Sequence, residues 1–151
     1  MIELIKTDSN NLGFINLVKQ LDAYLKTTDG NEHDFYHQFN NIDVLNHVII
    51  ARYNNKTVGC GAFKEFDKDS VEIKRMYTLP EKRGKGVASK ILFELELWSK
   101  NLGYKNCFLE TGKRQVEAVQ FYKKNNYKRI PNYGQYIDME NSLCFKKELN
   151  K

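Results

Sequence analysis

Arg83-Gly84-Lys85-Gly86-Val87-Ala88, RGKGVA, is the stretch on which the reading of this chain turns. It follows Pro80-Glu81-Lys82 and precedes a run in which Val87, Ile91, Leu95, Trp98 and Leu102 recur at helical spacing as far as Gly103. Glycine weakens the first turn of a helix, so two of them there call for a compensating function. An anion supplies one. The free N–H groups and positive dipole end of a helix N-terminus bind phosphate, and glycines let a ligand reach the backbone.

Around this stretch the periodicity changes several times. Ile2–Lys6 reads as a short strand, and Ser9–Lys26 as an amphipathic helix carrying Phe14, Leu17, Val18, Leu21 and Leu25, with Ser9 or Asn10 as cap. TTDGNEHDF breaks it, and a second short helix is expected around Phe35–Asn40. His47–Tyr53, Lys56–Phe66 and Ser70–Thr78 read as an antiparallel meander turned at NN and DKD. After the glycine stretch and its helix come a strand over Asn106–Glu110, a helix over Gln115–Asn125, and strands over Tyr127–Ile130 and Asn141–Leu149. The expected order is β-α-α-β-β-β-α-β-α-β-β. This is an α/β (α+β) fold with a central mixed, mostly antiparallel sheet flanked by about four helices. The strands on either side of the glycine helix should run parallel, joined by a right-handed crossover.

The chain has 151 residues, 41% hydrophobic and 28% charged, which suits one domain spanning 1–151 with a real core. No linker or internal repeat divides it. A net charge of +5 weakly favours an anionic ligand. Cys60, Cys107 and Cys144 lie far apart in apolar, strand-like surroundings without CxxC spacing, so they read as reduced and buried, as in a cytoplasmic protein. The first residues lack signal-peptide character, and no apolar run approaches membrane-spanning length, so no membrane partner is expected.

Nucleotide-loop readings fail on spacing. GxxxxGK[ST] is absent, and Ser89 occupies the last glycine position of GxGxxG. Arg83-x-x-Gly86-x-Ala88, entered from VEIKRMYT and Pro80, instead resembles the acetyl-CoA-binding motif of the GNAT acetyltransferase superfamily. EAVQFYKKNNYKRI, with Phe121-Tyr122, is similar to that family's second signature, and the order of elements agrees along essentially the whole chain. Two positions depart from the pattern: Gln115 stands where many members carry asparagine, and Asn126-Tyr127 replaces a Gly-Phe pair. Asparagine tolerates the left-handed conformation such a turn requires.

The resemblance implies an acetyl-CoA-dependent N-acetyltransferase acting by direct transfer to a primary amine of a small molecule or peptide. Arg83, Gly84, Lys85, Gly86, Val87, Ala88 and Ser89 would cradle the pyrophosphate of coenzyme A. Met76, Tyr77 and Thr78 would hold the pantetheine arm like an added strand, and Gln115 would contact that arm. Tyr122 would be the general acid toward the leaving thiolate. Glu72 would be the base that deprotonates the amine, or else half of a cross-strand ion pair with a lysine.

The remaining constellations are weaker. His33 and His37, with Glu32 or Asp34, lack a third placed metal ligand, and no metal is expected. His47 reads as structural. The serines have no paired histidine in an evident motif, and no RNA-binding aromatic motif is present. A non-catalytic module on the same fold, sensing acyl-CoA or binding nucleic acid, is the competing class, and the joint presence of Tyr122 and the glycine motif favours the enzyme. Acceptor recognition would fall to KTTDGNEHDFYHQF, with Asp29, Glu32 and Asp34, and to PNYGQYIDMENS. The latter's tyrosines and asparagines suit small-molecule contacts or a homodimer interface.

Overall fold

The computed structural model describes residues 1–29 and 44–149. Seven strands form one sheet: β1 (Glu3–Thr7), β2 (His47–Tyr53), β3 (Lys56–Asp67), β4 (Ser70–Thr78), β5 (Asn106–Gly112), β6 (Lys128–Ile130) and β7 (Ser142–Glu148). Their spatial order is β1-β2-β3-β4-β5-β7-β6. All neighbours pair antiparallel except β4 and β5, which run parallel around the helical crossover, as the sequence predicts. Three α-helices lie among the described residues: α1 (Leu12–Asp29), α2 (Val87–Asn101) and α3 (Val116–Lys124). The helix expected at Phe35–Asn40, together with Glu32, His33, Asp34 and His37, lies outside the described residues.

Local chemistry sets the boundaries. The NN turn joins β2 to β3 with Asn54 at φ 51 and Asn55 at φ 64, the paired left-handed conformation of a tight hairpin. Helix α1 starts later than its sequence suggests. Asn11 Oδ1, not Ser9 or Asn10, accepts the Phe14 N–H at 3.0 Å. Ser9 is engaged elsewhere, its Oγ accepting from the Leu45 N–H at 2.9 Å and so tying the end of β1 to the approach to β2. Asn126 closes the turn after α3 at φ 73, the conformation expected of it.

The core lies between the sheet and its helices. Val87, Ile91, Leu92 and Leu95 of α2 are buried in one core cluster with Phe63 and Ile73 of the sheet. Gly59 and Gly61 of β3 make this approach close. A Cβ at Gly61 would stand 2.5 Å from Met76 Sδ and 2.9 Å from Ile91 Cγ2. His47 stacks on Phe63 at 4.6 Å and meets Trp98 edge-on at 4.9 Å, a packing role. The glycine helix is also pinned by polar contacts, since Glu96 accepts from Tyr127 Oη at 2.9 Å in the interior and from the partly exposed Lys147 Nζ at 2.8 Å. All three cysteines are free and fully buried, and burial pushes the Cys60 and Cys107 thiols up to about 12 and Cys144 to about 11.

One irregularity shapes the rest. Arg75 in β4 adopts φ 58, and the β3–β4 register shifts between Cys60 and Ala62. Pairing of β4 with β5 covers only Ser70–Glu72 against Asn106–Phe108. Beyond it the two strands diverge, leaving the β5-facing edge of residues 74–78 without a strand partner among the described residues and opening a cleft in the sheet.

Candidate active site

Two cavities occupy the cleft. The larger, about 390 Å³, runs from Met76, Tyr77 and Thr78 along Arg83, Gly84, Gly86, Val87, Ala88 and Ser89. The smaller, about 100 Å³, lies over Glu72, Lys74 and Arg75 of β4 and Glu110 and Thr111 of β5. Leu21, Met76, Gln115, Ala118 and Tyr122 line both, so the cavities meet at these side chains.

The glycine stretch forms one end of the larger groove. Gly84 and Gly86 stand at φ 77 and 82, and a Cβ on either would meet no atom within 4 Å. The glycines are therefore required by conformation, and the space before them is open. No side chain among the described residues caps α2, and its first hydrogen bond runs from the Lys90 N–H to the Gly86 carbonyl at 3.1 Å. The N–H groups of Val87, Ala88 and Ser89 are consequently unspent within the helix, a ready anion site. Arg83 donates through Nε to the Thr78 carbonyl at 2.9 Å, and its guanidinium lies over the Tyr77 ring. It thus fastens the loop to β4 with its outer nitrogens left for a ligand. Lys85 is exposed and does not line the groove, whereas Lys82 and Lys124, which the sequence reading omitted, do.

Tyr122 projects from α3 to the junction. Its side chain is buried, and it lines both cavities. Burial, then the nearby Glu110 carboxylate, raises its pKa, so the phenol stays protonated well beyond neutral pH. Glu72 is 4% exposed and faces the smaller cavity. Its Oε2 accepts from the Tyr133 hydroxyl at 2.8 Å, and its Oε1 lies 3.9 Å from Lys74 Nζ. The ionic partner of Glu72 is thus Lys74, two residues along the same strand, rather than Lys64, which stands across from it in β3. Tyr133 is held by the rings of Phe66, Phe108 and Tyr136, which ties the loop after β6 to the cavity floor.

Lys74, Arg75 and Glu110 were not anticipated as site residues. A signal was present for Lys74: in Val71-Glu72-Ile73-Lys74 the charges alternate with apolar residues, and every one of the four is buried. No group of metal-binding side chains occurs among the described residues, and no described helix is long and apolar enough to cross a membrane.

Residues 6–127 match the Acetyltransferase (GNAT) family. Among curated relatives, an uncharacterised N-acetyltransferase of Escherichia coli, YjgM, is 31% identical over 84 residues, 54% of this chain. The match spans only 50% of that relative's length. The IAA acetyltransferase of Azospirillum brasilense is 27% identical over 89% of this chain and 90% of its own. A Klebsiella pneumoniae structure assigned as an acyl-CoA N-acyltransferase superposes with TM-score 0.83 at 26% identity, covering 99% of this chain and 98% of that one. The fold is shared as well by the PaiA N-acetyltransferase of Thermoplasma acidophilum, solved with coenzyme A, at TM-score 0.71 and 19% identity over 98% of this chain and 99% of that one. The relatives named for an activity are acyltransferases.

Proposed function

From the premise that this chain belongs to the Acetyltransferase (GNAT) family, we propose that it is an acetyl-CoA-dependent N-acetyltransferase. Residues 1–151 act as one catalytic unit, transferring acetyl to a primary amine of a small molecule or peptide by direct attack in a ternary complex. The observation that carries this reading is the meeting of two cavities of different character at Met76, Gln115 and Tyr122. One is long and ends on open glycines and free helix N–H groups. The other is small and lined with charge.

The residues present fit the cosubstrate. The open space before Gly84 and Gly86 takes a pyrophosphate that a side chain would exclude. The N–H groups from Val87 to Ser89 and the outer nitrogens of Arg83 hold it. Met76, Tyr77 and Thr78 offer an unpaired strand edge to the amides of the pantetheine arm, and Gln115 reaches it from the start of α3. Acetyl-CoA supplies the activated acyl group and a thiolate leaving group. Backbone N–H donors at the bulge stabilise charge building on the carbonyl oxygen.

The amine nitrogen bonds to the acyl carbon as the carbon–sulfur bond breaks, and that bond's electron pair leaves on sulfur. Tyr122 donates its hydroxyl proton toward that sulfur and recovers one from solvent. Glu72 takes the proton released by the amine, directly or through water. A cytoplasmic setting suits the three unpaired thiols, and a homodimer through the loop over residues 131–142 belongs to the same reading.

The test is a screen of amines for acetyl-CoA-dependent release of free thiol, run beside a nucleic-acid mobility shift. Thiol release with at least one amine supports the proposal. Salt-sensitive nucleic-acid binding without turnover of any amine would replace it with the binding-module reading.

A further inference from the structure

Lys74 carries a charge that the transfer scheme does not use. It stands two residues beyond Glu72 on the same face of β4, with its side chain only 6% exposed, and it lines the smaller cavity. Its one ionic partner among the described residues is Glu72 at 3.9 Å, longer than a hydrogen bond. Glu72 is meanwhile held through its other oxygen by the Tyr133 hydroxyl at 2.8 Å, so its charge is shared between two donors. An ammonium withdrawn from water without a short partner is costly. Burial accordingly lowers the Lys74 pKa, with Lys64 and Arg75 acting in the same direction and Glu72 and Glu110 opposing them. Its neighbour Arg75 has no such deficit, because Asp22 Oδ1 accepts from its Nη1 at 2.6 Å.

A second anion would meet this deficit, and the cavity restricts what can bring one. At about 100 Å³ the space is a quarter of the larger groove, so it admits a group of few atoms. It opens at Met76 and Tyr122, where the attacking amine must stand, and Met76 is only two residues beyond Lys74. Amine and anion therefore sit close together on one molecule. Glu72 and Glu110 line the same space and suit the ammonium form in which an amine arrives. A polyamine would instead direct its second positive charge at Lys74.

Building on the acetyl-transfer reading, we propose that the acceptor is a small amino acid, a primary amine with a carboxylate two or three atoms from the nitrogen. Lys74 is the specificity residue that holds this carboxylate.

The experiment compares each α- and β-amino acid with its own carboxamide and its decarboxylated amine, with spermidine as the polycation. Acetyl-CoA-dependent thiol release by the full chain is the readout. An amino acid should surpass both of its derivatives by about tenfold or more in kcat/KM, with the difference carried by KM. Lys74→Met should bring that ratio toward one, Lys74→Arg should restore part of it, and Lys74→Glu should turn the preference toward amines lacking the carboxylate. Thermal protection by acetyl-CoA identifies variants that have folded. The wild-type comparison alone remains decisive if none does. Equal kcat/KM for acid and carboxamide, or a preference for spermidine, would overturn the assignment while leaving acetyl transfer standing. Failure of every amine would remove both.

Discussion

Arg75 Nη1 donates to Asp22 Oδ1 at 2.6 Å, and this contact joins the left-handed bulge of β4 to helix α1. Asp22 follows Leu21, which lines both cavities, so the pair sets how closely α1 approaches the junction. The arginine side chain is 5% exposed and the aspartate 29%. The guanidinium therefore depends on a partner that water partly screens.

Asp22→Asn keeps an acceptor for Arg75 but removes its counter-charge. The loss should be about 1–2 kcal/mol in urea unfolding, below the figure for a fully buried pair because Asp22 is partly solvated. Arg75→Met combined with Asp22→Asn should be more stable than the sum of the single losses predicts. Strict additivity would show that the pair carries no coupling.

Gly86→Ala separates conformation from ligand approach when set beside Gly103→Ala. Both glycines hold positive φ, 82 and 99, and neither would bring a Cβ within 4 Å of another atom. Each substitution should cost roughly 1–2 kcal/mol through left-handed strain. Only Gly86→Ala should also diminish the rise in Tm produced by acetyl-CoA, since only Gly86 lines the groove. Equal, undiminished shifts in both would remove the phosphate from this loop.

These two sites differ in how well they could be read from sequence. Gly86 was legible because glycine at a helix start has few explanations, and Asn126 because asparagine tolerates positive φ. The parallel β4–β5 pair followed from chain order alone. Arg75 was hidden, since arginine gives no hint of a left-handed bulge that depends on β3, α1 and the divergence of β5. Ser9 misled for a related reason: it is a good cap by composition, but Leu45, 36 residues away, occupies its hydroxyl. Local chemistry was readable where one residue decides the outcome. It was unreadable where distant segments compete for the same side chain.

Gly61→Ala tests the close packing of α2 on the sheet. The new methyl group would press on Met76 Sδ at 2.5 Å, and on Ile91 Cγ2 and Leu95 Cδ1, each at 2.9 Å. Overpacking of this kind costs about 1–3 kcal/mol. Met76 lines both cavities, so its displacement should also raise KM for acetyl-CoA and amine together. Gly61→Ala with Met76→Ala should regain much of the stability by vacating the sulfur's position. A stable Gly61→Ala single variant with unchanged KM values would mean that Met76 yields freely and does not define the junction.

Tyr122→Phe isolates the hydroxyl at the junction, because the ring and its edge-on contacts with Phe121 and Tyr127 are kept. If the hydroxyl donates to the departing sulfur, kcat should fall about a hundredfold or more with the acetyl-CoA Kd nearly unchanged. Burial and Glu110 raise the Tyr122 pKa above its ordinary value of 10, and the sign of that shift matters. A raised pKa keeps the donor form populated to higher pH, so Tyr122 should add no descending limb to the kcat profile below pH 10. A descending limb centred below 10 in wild type and absent in Tyr122→Phe would place the hydroxyl in a more polar setting than the fold provides. A weakened acetyl-CoA Kd with kcat intact would make Tyr122 a tether for the cofactor arm. Turnover within about twofold of wild type would leave it a packed aromatic, with water as the proton donor.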